Sequence, residues 1–386
     1  MLLSSANTKR TDRLRLLILT DEMEVGGTQR QIVHMARALD QSLYEVKVAY
    51  FCHRSFLADQ LEAAGIPVIE ISKNSRIDLR FIHALVKFLR AERFDVVHCF
   101  ALSAEFWGAI ARRFVPAHIR PALITSVRNK YDWYSPWQWR LKRWTATESN
   151  RVIANSFAGG NHAREKMCLP PGAIDVVYNG VEETILSPIS ALISRPDVIR
   201  ILFVGRLVEQ KNVSLLIRAM KIIENGPNKI RLRIVGDGPL RQNLSDQIIE
   251  LGLSDDIELL GERDDIHDLM AAADFVVSPS VWEGLSNVIL EAMMSGKPVV
   301  ASAVGGSVEL VDHMQTGILF PSNNVNALAE AINLLATDVG LSARLGAAGR
   351  QRVIDQFSVS AMVRNMQGFY SQAALDSRQR NPVING

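Results

Sequence analysis

Short apolar runs alternate with amphipathic stretches along almost all of the 386 residues of this chain. The first run, Leu14 to Thr20, is followed by a glycine pair and then by residues 29–39, in which Ile32, Met35 and Ala36 recur at helical spacing. This pattern predicts a β-strand followed by an α-helix. Further strands are predicted over residues 46–51, 68–71, 95–100, 122–127, 151–155 and 174–178. The alternation predicts an α/β protein built from repeated βα units.

The pattern is interrupted once, after Asn179-Gly180-Val181. Residues 182–197 contain two prolines and little periodicity, so we expect them to link a first domain over residues 13–181 to a second over 198–356. A last helix is predicted over 357–376, and residues 1–12 and 377–386 are expected to be frayed tails.

The most informative motif lies in the second domain, where Glu283 and Glu291 bracket a small polar turn between the apolar strand 275–278 and a helix. Ligands of open α/β sheets bind outside the carboxyl ends of the strands. The free N–H groups at residues 286–288 would form an anion site there, and Glu291 could accept hydrogen bonds from a ribose diol. The spacing alone fits equally well two surface glutamates on an ordinary βα unit.

A second motif lies upstream, where a strand over residues 200–204 leads into a loop that carries Arg206 and Lys211. A helix is predicted to follow over 213–223. A guanidinium that binds bidentately and a mobile ammonium suit a diphosphate leaving group, whereas two exposed loop cations would otherwise indicate only solubility.

In order and content these motifs resemble the family 4 retaining glycosyltransferases of the GT-B fold. The resemblance extends from Leu14 to Ala374 and depends mainly on the Arg206 and Lys211 pair followed by Glu283 to Glu291. It implies two Rossmann-like domains that face each other across a cleft, with the C-terminal helix returning to the first domain. It also implies a nucleoside-diphosphate-sugar donor, a UDP- or GDP-sugar, and no other cofactor.

The resemblance also implies a role for individual residues. Arg206, Lys211 and Glu283 are the catalytic candidates, with the two cations holding the diphosphate. Glu291 would bind the ribose hydroxyls, and the main chain near Arg263 would contact the base. The remaining donor contacts would come from Glu283 with the amides of Leu285, Ser286 and Asn287, and from the amides of Gly26 and Gly27 across the cleft. The alternative for Gly26 and Gly27 is a turn that needs glycine conformations.

One departure from the family pattern concerns the catalytic base. Many relatives carry a histidine in a Thr-x-His pattern where this chain has Thr125-Ser126-Val127-Arg128-Asn129. In a retaining transfer the departing phosphate can itself take the acceptor proton, so the chemistry depends on preorganised positive charge. Arg128 and Asn129 are candidate sugar or acceptor contacts. His98, at a strand end, is either a cleft residue or, more commonly for a single histidine, a structural one.

Charge and aromatic residues are distributed unevenly. The first 185 residues carry a net charge of +6 and the remainder −4, and four of the six tryptophans fall between positions 133 and 144. Trp137, Arg140 and Trp144 share a predicted helical face with Lys142 and Arg143 beside it, which favours peripheral contact with an anionic membrane. Alternatively the aromatic rings pack on the first domain and the cations are solvated. The small overall charge argues against nucleic acid.

The composition excludes several other classes. No run reaches the roughly 18 apolar residues that span a bilayer. Three widely spaced cysteines indicate a reducing cytosol without structural zinc, and no Asp-x-Asp triplet occurs, so no metal is predicted. We therefore expect a cytoplasmic enzyme, peripheral on the inner face of the plasma membrane if the tryptophan segment binds lipid, that glycosylates a glycan or lipid-linked acceptor in cell-surface polysaccharide or glycolipid synthesis.

Three other functions remain open from the sequence. A nucleotide-sugar epimerase can use the same architecture, and it would convert a sugar nucleotide without an acceptor. A glycosidase would need its two carboxylates about 5–10 Å apart around one bond, which leaves the loop cations unexplained. A non-catalytic sugar-nucleotide-binding protein would not need the intact set of charged residues.

Overall fold

The computed structural model describes residues 13–75, 77–183, 198–223 and 229–380, without the side chains of residues 378 and 380. Over these residues the chain forms two parallel sheets, each packed between helices. Most of the predicted linker, residues 184–197, lies outside the described residues, as do the predicted tails over 1–12 and 381–386.

The first sheet contains seven strands. They are β1 Leu14–Thr20, β2 Tyr44–Tyr50, β3 Val68–Glu70, β4 Val96–Phe100, β5 Ala122–Val127, β6 Arg151–Ala154 and β7 Asp175–Val176. The helices are α1 Gly27–Ala38, α2 Phe56–Ala63, α3 Leu79–Glu92, α4 Leu102–Arg113, α5 Pro136–Glu148 and α6 Phe157–Lys166, with a 3-10 turn at Ala117–Ile119. The strand order is β3-β2-β1-β4-β5-β6-β7, with every pair parallel.

The second sheet contains six strands. They are β8 Val198–Val204, β9 Lys229–Val235, β10 Ile257–Gly261, β11 Phe275–Ser278, β12 Val299–Ser302 and β13 Ile318–Phe320. The helices are α7 Val213–Ile223, α8 Arg241–Glu250, α9 Ile266–Ala272, α10 Asn287–Met294, α11 Ser307–Leu310, α12 Val325–Thr337 and α13 Val339–Gln356, with a 3-10 turn at Glu209–Lys211. The order is β10-β9-β8-β11-β12-β13, again parallel throughout.

The last helix, α14 Val359–Arg380, packs against α1 and β5 of the first domain. Tyr370 is fully buried there, with its hydroxyl 2.9 Å from Nδ1 of His98. The helix extends four residues beyond the predicted end at 376. The predicted GT-B architecture, with two Rossmann-like domains and a returning C-terminal helix, is confirmed. None of the helices among the described residues is long and apolar enough to cross a membrane.

The two chain crossings between the domains meet at one point. The Val181 amide donates to the Phe357 carbonyl (3.0 Å), and the Val359 amide donates back to the Val181 carbonyl (3.0 Å). A Cβ on Gly180 would lie 2.7 Å from Cα of Val359, so only glycine allows this approach. Gln31 of α1 bonds both the amide and the carbonyl of Gly180 at 2.8 Å. The crossing point is therefore fixed to the first domain.

The tryptophan-rich segment, residues 133–144, has both a buried and an exposed face. Trp139 is buried, and Trp144 packs edge-on against Phe106 of α4. Trp137, by contrast, is 54% exposed, and Arg140 and Arg143 are also exposed. Trp139 and Trp144 therefore pack on the first domain, as the second alternative predicts, and membrane contact by the exposed face stays a prediction.

Placing Lys142 among the surface cations was wrong. Its side chain is 1% exposed, and its ammonium pairs with Glu105 and donates to the Ser126 carbonyl at 2.6 Å. Glu105 also accepts from the Ser126 amide (3.2 Å) and from the Thr145 hydroxyl (3.0 Å). Burial raises the pKa of Glu105, although the adjacent ammonium opposes the shift. This network joins α4 and α5 to the carboxyl end of β5.

Removal of one partner of this buried ion pair should be costly. We expect Lys142→Met to lower the free energy of unfolding by about 3–5 kcal/mol, because it leaves the Glu105 carboxylate buried without a counterion. The double variant Lys142→Met/Glu105→Gln should regain most of that loss. Urea unfolding measures both. Arg113→Gln, which breaks the exposed pair with Glu148, is the control and should cost about 1 kcal/mol or less. Equal losses in the single and double variants would contradict the account.

Candidate active site between the domains

The catalytic candidates of the second domain lie where the strand order reverses. β8 is the first strand of that sheet along the chain, and it lies between β9 and β11. The helices that follow β8 and β11 therefore run to opposite faces, which leaves a crevice at the carboxyl ends of the strands. The loop after β8 carries Arg206 and Lys211, and the loop after β11 carries Glu283.

Lys211 and Glu283 form an ion pair in this crevice, with Nζ 2.6 Å from Oε2. Two backbone-linked contacts align the loops: the Val281 amide donates to the Gln210 carbonyl (2.8 Å), and the Gln210 side chain donates to the Trp282 carbonyl (3.0 Å). The Ser280 hydroxyl donates to the same oxygen of Glu283 at 3.2 Å. The partner of the Lys211 ammonium is thus the Glu283 carboxylate, whose side chain is only 9% exposed.

The loop after β12 supports the loop after β11 by direct backbone contact. A Cβ on Gly305 would lie 2.0 Å from the Glu283 carbonyl oxygen, and one on Gly306 would lie 1.8 Å from the Gly284 oxygen. Gly305 also has a φ of +46°. Any larger residue at either position would displace the backbone that carries Glu283.

Helix α10 begins at Asn287, after Ser286, whose hydroxyl accepts from the Ile289 amide. Leu285 is buried beside it. The side chain of Asn287 reaches across the cleft: it donates to the Gly27 carbonyl (3.2 Å) and accepts from the Asn179 side chain (2.7 Å). The turn that is predicted to bind the donor therefore contacts Gly27, one of the two glycines predicted to approach the donor from the first domain.

The glycine pair does not have the backbone geometry of a left-handed turn. Gly26 precedes α1 with a φ of −154°, and neither Gly26 nor Gly27 has a positive φ. The alternative, a turn that needs glycine conformations, therefore does not describe this pair. A Cβ at Gly27 would lie 3.1 Å from the amide nitrogen of Asn287, so the Asn287 side chain would have to shift slightly to admit it.

Arg128 lies on the first-domain side of the cleft. Its guanidinium lies over the Phe100 ring at 5.3 Å and donates to the Asn179 side chain at 2.8 Å. Its Nε has no hydrogen-bond partner, and no carboxylate of the described residues pairs with it. Burial lowers the pKa of Arg128 to about 10.

Gly284 of the second domain packs on the backbone of Arg128 and Asn129, since a Cβ on Gly284 would lie 3.0 Å from the Arg128 carbonyl oxygen.

The other predicted donor residues lie in the second domain. Glu291 follows Asn287 by about one turn of α10, and burial raises the pKa of its carboxyl group while Arg30 opposes the shift. Arg206 is exposed in its loop. Arg263 lies in the loop between β10 and α9 and forms a two-point contact with Asp265 at 2.7 and 2.6 Å. Because the Arg263 side chain is paired with Asp265, the predicted contact with the base would come from the main chain near Arg263.

A cavity of about 240 Å³ opens between the domains at this point. It is lined by Lys130, Ala158 and Gly159 from the first domain and by Val281, Trp282, Glu283, Val304 and Gly305 from the second. Both domains thus contribute to one enclosed space that contains Glu283.

His98 does not line the cleft. It is 0% exposed, and its ring nitrogens contact the Tyr370 and Ser126 hydroxyls at 2.9 and 2.8 Å. Burial lowers its pKa well below the ordinary value, so the structural alternative is the correct one.

Two contacts of the cleft were missed by the sequence analysis. Asn179 bridges Arg128 and Asn287, although its sequence signal was only an Asn-Gly turn. Glu309, in the short helix α11 after the glycine turn, crosses the cleft and accepts from the amides of Phe157 and Ala158 at 2.8 and 2.7 Å. These amides are unsatisfied at the start of α6, so the carboxylate caps a helix of the other domain.

This fold and its interdomain site are those of a GT-B glycosyltransferase. Residues 25–184 match the family model described as Glycosyltransferase Family 4, and residues 191–352 match Glycosyl transferases group 1. An uncharacterized glycosyltransferase of Methanocaldococcus jannaschii is 30% identical over 306 residues, which cover 74% of this chain and 77% of the relative. The chain belongs to the family 4 glycosyltransferases.

Two further relatives have named ligands or substrates. The UDP-Gal:α-D-GlcNAc-diphosphoundecaprenol α-1,3-galactosyltransferase of Escherichia coli is 26% identical over 372 residues, 90% of this chain and 94% of the relative. The crystal structure of Anabaena HepE in complex with UDP-glucose superposes with a TM-score of 0.81 at 26% identity, and the match covers 93% of this chain and all of HepE.

The glycine that supports the Glu283 loop gives a stability prediction. Gly305→Ala should cost about 1–3 kcal/mol, because it combines a positive φ with a backbone clash. Gly340→Ala is the matched control: Gly340 lies in the first turn of α13, where a Cβ meets nothing closer than 3.5 Å, and its change should stay within about 1 kcal/mol. Urea midpoints measure both. Equal midpoints for the two variants would show that the Gly305 contact does not constrain the loop.

Proposed function

We propose that this glycosyltransferase transfers a sugar from a UDP- or GDP-sugar with retention of configuration, without a metal ion, to a glycan or lipid-linked acceptor. The observation that carries the proposal is the Lys211–Glu283 pair at the strand-order reversal of the second domain, beside a cavity that both domains line. The UDP-glucose complex of HepE and the diphosphoundecaprenol substrate of the E. coli relative support the donor and acceptor classes.

In this proposal Arg206 and Lys211 stabilise the charge that develops on the leaving diphosphate. Preorganised cations are effective in a water-poor crevice, because they need no reorganisation when the bond breaks. Glu283 orients Lys211 and binds the sugar, and Glu291 binds the ribose. The amides near Gly27 and Asn287 approach the phosphates, and the main chain near Arg263 contacts the base. The departing phosphate takes the acceptor proton on the same face of the sugar.

The acceptor lies on the first-domain wall. Arg128 is a cation without a carboxylate partner among the described residues, and the backbones of Arg128 and Asn129 touch Gly284, the residue after Glu283. We propose that these two residues contact the acceptor or the transferred sugar. The synthesis of a cell-surface polysaccharide or glycolipid would supply such an acceptor, and the exposed Trp137, Arg140 and Arg143 of α5 would contact the membrane peripherally. Trp144 would contribute less, because it packs on Phe106.

The diphosphate cations can be tested by alanine substitution. Arg206→Ala and Lys211→Ala should each raise the barrier of transfer by about 2–4 kcal/mol with the fold intact, because each removes a charge contact of the transition state. The measurement is release of UDP or GDP from a panel of sugar nucleotides in the presence of a lipid extract. Arg218→Ala, an exposed cation on α7 of the same domain, is the control and should leave the rate unchanged.

Near-normal turnover of both variants would reject the cation site. A parallel reaction without acceptor separates transfer from epimerisation, because an epimerase would convert the sugar nucleotide under these conditions.

The two glutamates should differ in kinetics and in pH dependence. Glu291→Ala should weaken nucleotide binding by about 1.5–3 kcal/mol, the range for hydrogen bonds to a charged group. Glu283→Ala should instead lower the rate even at saturating donor. Because burial raises the pKa of Glu291, its carboxylate is lost at a higher pH than usual, so affinity for UDP-glucose should fall as the pH is lowered through that raised pKa. Titration calorimetry against pH measures this.

Glu291→Gln is the control for the pH effect, since an amide does not titrate and the affinity should vary less with pH. Two glutamate variants with the same kinetic defect would contradict the separate roles proposed here.

A further inference from the structure

Helix α3 has a second apolar stripe that the first-domain core covers only in part, because Ile82 and Val86 are half-buried against that core. Its core stripe consists of Phe81, Leu85 and Leu89, which are at most 1% exposed. A different face carries Leu79, Ile82 and Val86, spaced at three and four residues like the core stripe. A surface helix normally presents polar residues away from its core face, so this second stripe needs another explanation.

The second stripe lines an open groove of about 690 Å³ that Phe114, at the end of α4, completes. Leu79 is 76% exposed, Phe114 59%, and Ile77, just before the helix, 74%. Large apolar side chains with this exposure are common individually, but a contiguous group marks an interaction site. We call the set Leu79, Ile82, Val86, Lys87, Arg90 and Phe114 the α3 patch.

The charges of the α3 patch are of one sign. Lys87 and Arg90 line the groove together with His83, and the lining residues include no carboxylate. Arg80 and Arg93 of the same region are exposed. The one acidic residue of the helix, Glu92 at its end, pairs with Arg15 of β1 and Lys47 of β2 and does not line the groove. Apolar residues flanked by cations on a helix are typical of an in-plane contact with anionic lipid.

The α3 patch belongs to the same layer as the exposed cations of α5. Helices α3 and α5 both pack against α4. The end of α4 contacts both neighbours: Arg90 donates to the Phe114 carbonyl at 2.6 Å, and the Arg113 guanidinium lies over the Trp144 ring at 5.3 Å. A helix of 14 residues is about 20 Å long, so the layer offers an extended surface rather than a single anchor.

We infer that the α3 patch is a docking surface for an anionic lipid bilayer. Leu79 and Phe114 enter the interfacial region, and Lys87 and Arg90 contact the anionic headgroups. This inference extends the membrane contact proposed for α5 to a second surface, and its test needs no substrate.

The experiment is sedimentation of the whole chain with sucrose-loaded vesicles of phosphatidylcholine alone or mixed with phosphatidylglycerol, at low and high salt. The test variant is Leu79→Ser/Phe114→Ser/Lys87→Gln/Arg90→Gln. The matched control removes two exposed isoleucines and two exposed arginines from the second domain: Ile222→Ser/Ile249→Ser/Arg218→Gln/Arg344→Gln. A third variant, Trp137→Ser/Arg140→Gln/Arg143→Gln, tests α5 separately.

The native chain and the control should pellet with anionic vesicles and much less with neutral ones, and high salt should weaken the binding. Loss of two cations alone should lower the partition coefficient roughly 30-fold, and the two serine changes should lower it further. If the test variant has a lower melting temperature than the native chain, Lys87→Gln/Arg90→Gln, which changes only exposed side chains, should still show the 30-fold loss.

Three results would overturn the inference: native protein that ignores anionic vesicles, native protein that binds neutral and anionic vesicles equally, and a test variant that partitions like the control. Sedimentation velocity tests whether a second copy of this chain occupies the α3 patch. A dimer of the native chain that the test variant loses would assign the patch to a second copy instead. UDP-induced thermal stabilisation, measured on every variant, reports the donor site independently.

Discussion

The geometry of the cleft depends on backbone segments that approach too closely for any side chain. Gly305 and Gly306 place the loop after β12 against the carbonyls of Glu283 and Gly284. Gly284 in turn lies on the backbone of Arg128 and Asn129 in the other domain. A glycosyltransferase of this architecture must hold groups from two domains within bonding distance of one substrate, and rigid backbone contacts position side chains more accurately than long flexible residues do.

Charge is compensated differently at three ionic positions, of which one is fully buried and two are partly buried. Lys142 and Glu105 neutralise each other within the first domain and hold the end of β5. Lys211 and Glu283 pair at the site itself, where the Lys211 side chain keeps 20% of its exposure. Arg128 has a neutral partner, Asn179, and an aromatic ring. Because a desolvated cation without a counterion costs free energy, an anionic ligand beside Arg128 would lower that cost.

The interdomain contacts fall into two groups with different physical roles. Near the crossing of the chain, Gln31 and the paired amides of Val181 and Val359 form short hydrogen bonds that involve main-chain groups. Across the cleft, the hydrogen bonds are made by single side chains, such as Asn287 and Glu309. The first group thus fixes the crossing of the chain, and the second joins the two domains at separate points along the cleft.

The alternation of apolar runs and amphipathic stretches was enough to predict the two-domain α/β fold, because strands buried on both faces must be continuously apolar and their covering helices must not be. β1, β5, β11 and α7 have the predicted bounds. The resemblance to the family placed Lys211 and Glu283 in one site, and the structure joins them in an ion pair.

Only the tertiary structure decided which charged residues are buried and which pairs meet. Lys142 looked like a neighbour of Arg143, yet a rotation of 100° per residue places it inside the domain opposite Glu105. Asn179 and Asn287 are 108 positions apart, and Glu309 is 151 positions from the amide of Ala158 that it caps. A periodic pattern records which face of an element is apolar, but the partner of a polar side chain depends on how distant elements pack, and that information is not local in the chain.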